Sequence, residues 1–74
     1  MSRLPRVNGQ QILKALQKVG FKLVRVRGSH HFMRHADGRA TLVPVHGTEI
    51  VGPGLLIKIL KDAEIERDAF EELL

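Results

Sequence analysis

Apolar residues recur along the first third of the chain at the three- and four-residue spacing of a helix, with Ile12, Leu13, Leu16 and Val19 forming one stripe. Asn8 followed by Gln11 has the form of a capping box, and Val7 and Ile12 stand where a hydrophobic staple would fix the start of that helix. Gly20 supplies the positive φ that ends it at about Val19. The period then changes. From Phe21 to Arg27 apolar and basic residues interleave, which predicts a strand with one buried and one wet face. Val24 and Val26 are expected to point inward and Arg25 and Arg27 outward, although the adjacent pair Leu23 and Val24 leaves the register open. Gly28-Ser29 turns the chain into a second strand from His30 to about His35. Asp37-Gly38, within Ala36-Asp37-Gly38-Arg39, signals a hairpin into a third strand, Ala40 to Val45. Pro44 lacks a ladder donor, so this strand belongs at an edge or leaves the sheet there. Pro53 opens a second helix with Leu55, Leu56, Ile59 and Leu60 on its apolar face to about Asp62. A short last helix from about Glu66 carries Phe70, Leu73 and Leu74. The expected architecture is α+β, in the order α-β-β-β-α, with a three-stranded antiparallel sheet and a short C-terminal helix. Helices cover one sheet face and the other stays open.

Seventy-four residues at 43% hydrophobic content suit a single small domain spanning 1–74. With no cysteine, folding rests on packing rather than disulfides. No apolar run approaches the length of a membrane span or a signal peptide, so the reading is a cytoplasmic protein with no membrane partner. The net charge of +4 is unevenly spread. Residues 1–48 hold nine Lys or Arg against one acid, giving +8, whereas residues 49–74 hold three against seven, giving −4. The basic part faces an anion, with nucleic acid the first choice and a merely solvated surface the plain alternative.

All four histidines, His30, His31, His35 and His46, fall within seventeen positions, on or beside the basic strands. An imidazole titrating near neutrality can take a proton from a ribose 2′-hydroxyl or give one to a leaving 5′-oxygen, while guanidiniums stabilise the phosphate charge. Alternation puts His30, Phe32 and Arg34 on one side of the second strand and His31, Met33 and His35 on the other. One of the adjacent pair is then functional and the other supporting, set against the commoner case of a strand histidine that is only solvated. A zinc shell from His31 and His35 would need the distant His46 or Asp37. Gly28-Ser29 is open to two readings, a tight turn and a close backbone approach to a phosphate.

Several segments together resemble the HicA (YcfA-like) toxin family: Val24-Arg25-Val26-Arg27-Gly28-Ser29-His30-His31, Arg34-His35-Ala36-Asp37-Gly38-Arg39, Val43-Pro44-Val45-His46-Gly47, and Pro53-Gly54-Leu55 with Ile59-Leu60-Lys61. The opening Leu4-Pro5-Arg6-Val7 and the closing Phe70-Glu71-Glu72-Leu73-Leu74 are similar as well. The resemblance implies a fold like that of double-stranded-RNA-binding domains, ribosome-independent cleavage of mRNA, growth inhibition, and neutralisation by a HicB-type antitoxin. It places the functional histidine after Gly-Ser, on His30, with His31 as the alternative. The expected RNA contacts are Lys22, Arg25, Arg27, Gly28, Ser29, Arg34, His35 and Arg39. No cofactor or metal is expected, and DNA, lacking the 2′-hydroxyl nucleophile, is not expected as a substrate. The rivals are a noncatalytic RNA-binding module and a protein-interaction module whose basic face receives an acidic antitoxin. The chain departs from the family pattern at Ala63-Glu64-Ile65-Glu66, where members often carry Ala-Gly-Ile and then Ser or Thr. A glycine C-cap and a hydroxyl N-cap are thereby lost, at ~1 kcal/mol each.

Overall fold

The computed structural model describes residues 3–74. Asn8 accepts from the Gln11 backbone N–H at 2.9 Å while the Gln11 side chain accepts from the Asn8 N–H at 2.9 Å. This reciprocal capping box opens α1, Gly9–Lys18, with Val7 and Ile12 both buried beneath it. The helix closes as expected: Phe21 N–H donates to Leu16 O, Gly20 N–H donates to Gln17 O, and Gly20 takes φ 99°. Phe21 is thus a helix-closing core residue rather than the first residue of a strand. The strands are β1 (Lys22–Arg27), β2 (His30–Arg34) and β3 (Ala40–Pro44), antiparallel in the order β1-β2-β3. Then follow α2 (Pro53–Ala63) and α3 (Arg67–Glu72). The α+β architecture and its element order are those the sequence predicts, with Pro44 on an edge strand.

The expectation for β1 is overturned in part. Val24 is 60% exposed and Val26 51%, so neither is a core residue. Pairing explains why. Leu23 stands opposite Met33 and Arg25 opposite Phe32, which leaves Val24 as the extra residue of a β-bulge. Val26, opposite His31, does lie on the Met33 side. However, α1 and α2 pack over β3, and β1 is the strand furthest from them. Arg25 and Arg27 share the opposite face as predicted, since their partners Phe32 and His30 alternate with His31.

The core is made by Met33 and Val43 of the sheet, the buried faces of α1 and α2, and Phe70 of α3, with Phe21 and Phe70 as its largest fully buried side chains. Loss of either ring would cost about 3–5 kcal/mol. Leu55 is 39% exposed and drops out of the expected apolar face of α2, where Ala63 takes its place beside Leu56, Ile59 and Leu60. Thr41 Oγ1 donates to Asp62, which also receives Lys58, tying β3 to α2. Phe70 and the partly buried Leu73 dock α3, and Lys18 Nζ donates to Leu73 O at 2.6 Å. Leu74 remains exposed.

Candidate functional site

The β2–β3 hairpin sets the site. Its loop is Ala36-Asp37-Gly38 rather than a two-residue Asp37-Gly38 turn: His35 N–H donates to Arg39 O, Gly38 N–H donates to His35 O, and Gly38 takes φ 100°. That loop length puts His30 opposite Pro44 and Phe32 opposite Leu42. The face away from the helices therefore carries Lys22, Arg25 and Arg27 from β1 and His30, Phe32 and Arg34 from β2. All of these but Phe32 are exposed, and the Arg25 guanidinium lies 5.3 Å from the Phe32 ring centre. One open surface thus presents four cations, an aromatic ring and an imidazole.

His30 stands at the end of that surface, where it borders a cleft of about 400 Å³. Pro44, His46, Glu49, Ile50 and Leu55 also line this cleft. Its position follows from the chain path. Beyond Pro44, Val45 N–H donates to Ser29 O at 2.8 Å, and the chain then turns with Glu49 N–H donating to His46 O at 2.9 Å. It returns past Val7, where Val51 N–H donates to Val7 O and Ile50 bridges to Asn8. Gly9 has no room for a Cβ because Pro44 O and Val45 occupy the space, so α1 braces the end of β3 directly.

The other two histidines are structural in their bonding. His31 is half-buried on the helix side and its Nδ1 lies 3.0 Å from Ser29 O, so Nδ1–H donates there. Ser29 O thereby fixes both the Gly28-Ser29 turn and Val45. Gly28 takes φ 60° with open space around it, so the turn conformation itself calls for glycine. His35 sits at the far end of β2 with Nε2 3.1 Å from Val19 O, and its Nδ1 accepts from Asp37 N–H at 3.1 Å. That pattern fits a ring carrying its proton on Nε2. Its ring and that of Phe21 pack edge to face with centres 5.3 Å apart.

Arg39 is engaged in the same neighbourhood. It donates to Ala63 O at 2.6 Å and to Asp37 at 2.8 Å, and lies over Phe21 at 5.2 Å. Its backbone N–H, then its guanidinium, hold the Asp37 carboxyl below the usual carboxylate range. Of the residues expected to form the site, the structure brings together Lys22, Arg25, Arg27, His30 and Arg34 on one face, with Gly28-Ser29 at its end. His35 and Arg39 point to the helix ends instead. Among the described residues no group of three or more His, Asp or Glu side chains is placed to hold a metal ion. The sequence reading did not join His46 to His30. The register puts His46 two residues past the partner of His30, and that register is set by a three-residue loop that the Asp37-Gly38 pair alone does not announce.

The family described as HicA toxin of bacterial toxin-antitoxin matches residues 9–65. The chain belongs to this family. The matched span of the HicA chain includes the whole sheet, the His30 cleft and α2, and stops before α3. An antitoxin partner follows from membership, since a HicA toxin is one half of a toxin–antitoxin pair. No curated protein matches the chain. Among the described residues no helix is long and apolar enough to cross a membrane.

Proposed function

We propose that this HicA chain is an mRNA-cleaving endoribonuclease of a type II toxin–antitoxin system, with His30 as an acid–base group at the scissile phosphate. The observation that carries the reading is the exposed His30 at the end of a face that also bears Lys22, Arg25, Arg27 and Arg34. Cations in a row along a sheet suit a phosphate backbone, and the Phe32 ring under Arg25 offers a stacking surface for an unpaired base. The 2′-hydroxyl attacks phosphorus, and the adjacent guanidiniums offset the charge that builds on the phosphate oxygens. The products are a 2′,3′-cyclic phosphate and a 5′-hydroxyl. His31 steadies the turn before His30 through Ser29 O and is a supporting residue. His35 and Arg39, whose polar groups face the helix ends, are left out of the RNA contacts.

The partner is a HicB-type antitoxin whose acidic groups cover the basic face, which silences the toxin by charge complementarity. The working place is the cytoplasm, where mRNA is met. The test incubates purified chain with end-labelled mRNA. Cleavage that yields cyclic-phosphate ends, persists in chelator, spares DNA and is lost in His30→Ala supports the reading. RNA that is bound but stays intact identifies a binding module of the same fold, and 3′-hydroxyl ends rule out the transesterification.

A further inference from the structure

We propose that His46 is the second proton-transfer group of the cleavage site, paired with His30 across the cleft. The inference rests on the endoribonuclease reading. Transesterification of RNA moves two protons at two places. As the 2′-oxygen bonds to phosphorus its proton passes to a base, and as the P–O5′ bond breaks the leaving 5′-oxygen takes a proton from an acid. The attacking and leaving oxygens lie on opposite sides of phosphorus, so a single imidazole serves one of them.

The remaining histidines are sorted by the structure. His31 donates Nδ1–H to Ser29 O from the helix-facing side of the sheet. His35 uses both ring nitrogens, on Val19 O and Asp37 N–H, at the opposite end of β2. His46 is exposed and lines the same cleft as His30. Its backbone is held on both sides, by Val45 N–H on Ser29 O before it and by Glu49 N–H on its own carbonyl after it. Both histidines then line one space, on walls set by β2 and by the loop after β3. The charged and titratable side chains on that space are His30, His46 and Glu49, while Pro44, Ile50 and Leu55 supply apolar wall. A cleft of about 400 Å³ falls in the range of small-ligand sites. Glu49 adds a carboxylate that repels phosphate but can accept from an imidazolium or a ribose hydroxyl. The phosphate backbone therefore enters along the basic face and the scissile linkage is bracketed by the two histidines.

The experiment uses the full chain and a short RNA that the wild type cleaves. The wild-type rate is expected to follow a bell-shaped pH profile, and His46→Ala to cleave at least about 100-fold more slowly and lose one limb of the bell. His46→Gln, which keeps a polar side chain of similar size, should fail in the same way. Affinity for the same RNA with every 2′-hydroxyl methylated should stay near wild type in both variants. An RNA carrying sulfur at the bridging 5′ position has a leaving group that departs without a proton. It should restore most of the lost rate to either His46→Ala or His30→Ala, whichever lacks the acid, and not to the other. The proposal is overturned if His46→Ala stays within about threefold of wild type, keeps both limbs, or loses affinity for the methylated RNA in step with its rate. Absence of cleavage by the wild type would instead overturn the endoribonuclease reading, so the two failures are distinguishable.

Discussion

The two ends of the sheet carry the same residue types and use them in opposite ways. At the end holding the β2–β3 hairpin, His35 and Arg39 reach the carbonyls of Val19 and Ala63, the last turns of α1 and α2, and both lie against the Phe21 ring. At the other end, His30 and His46 line an open cleft beside Arg27 and the Gly28-Ser29 turn. A histidine or arginine tied to a helix C-terminus completes carbonyls that lack intrahelical partners, and its contribution is to stability. An exposed one beside a cleft has its polar atoms available to a substrate. The bonds of each side chain, rather than its identity, therefore separate architecture from chemistry.

The sharpest way to break the comparison is to truncate one side chain at each end. His30→Ala should lower the rate of RNA cleavage by about 10²- to 10⁴-fold and leave thermal unfolding close to wild type. Arg39→Ala should do the reverse. Loss of its bonds to Ala63 O and Asp37 and of its contact with Phe21 should cost about 2 kcal/mol in denaturant unfolding, with the cleavage rate per folded molecule retained. If Arg39→Ala abolished RNA binding at full stability, the assignment of that end to architecture would be wrong.

A finer test lies within the anchored end, where both long helices close by the same pair of backbone bonds on different residues. In α1 the left-handed position is Gly20 at φ 99°, and a Cβ there would meet His35 Nε2 at 2.9 Å. In α2 it is Glu64 at φ 56°, with Ile65 N–H on Leu60 O and Glu64 N–H on Lys61 O. Gly20→Ala should therefore destabilise, by strain and by displacing His35, whereas Glu64→Gly should stabilise by about 0.5–1 kcal/mol. Opposite signs in the unfolding midpoints would confirm that the conformation, and not the residue, is shared. Glu66, which caps α3 without a side-chain hydrogen bond, should gain about 1 kcal/mol as Glu66→Ser.

Helix starts and stops were legible because they are local. Asn8 with Gln11 and Gly20 each announce their geometry within five residues, and the structure places both as expected. At Glu64 the sequence shows only that a C-cap glycine is missing, and the structure keeps the left-handed turn there on the glutamate itself, at φ 56°. The open basic face was legible from alternation in β2. What failed was non-local. Whether Val24 and Val26 are buried depends on how far the helices reach across the sheet, and alternation alone carries no information about a bulge. That His30 and His46 line one cleft likewise depends on hairpin loop length, which shifts every cross-strand partner when it changes by one residue. His35 and Arg39 looked like RNA contacts because they are basic and near the strands. Their side chains bond to Val19 O and Ala63 O, backbone carbonyls that leave no mark in the sequence.

The smallest expected effect concerns Asp37, at the tip of the anchored hairpin. Its carboxyl accepts from the Arg39 backbone N–H at 3.0 Å and from the Arg39 side chain at 2.8 Å, and these hold its pKa below the ordinary value of 3.8, with a lesser contribution from His35. A carboxyl whose pKa is lower in the folded state binds protons more weakly there than in the unfolded chain. Its contribution to stability is therefore complete above the unfolded value and is lost as pH falls through the folded one. Asp37→Asn removes the charge while keeping an oxygen for the Arg39 N–H, so wild type and variant should differ most near neutral pH and converge as pH drops below about 3.8. Because the pair is solvent-exposed, salt should shrink the difference as well. A gap that stayed constant down to strong acid would mean that the hairpin depends on the shape of Asp37 rather than on its charge. It would leave Arg39 fixed to Ala63 O by its own bond alone.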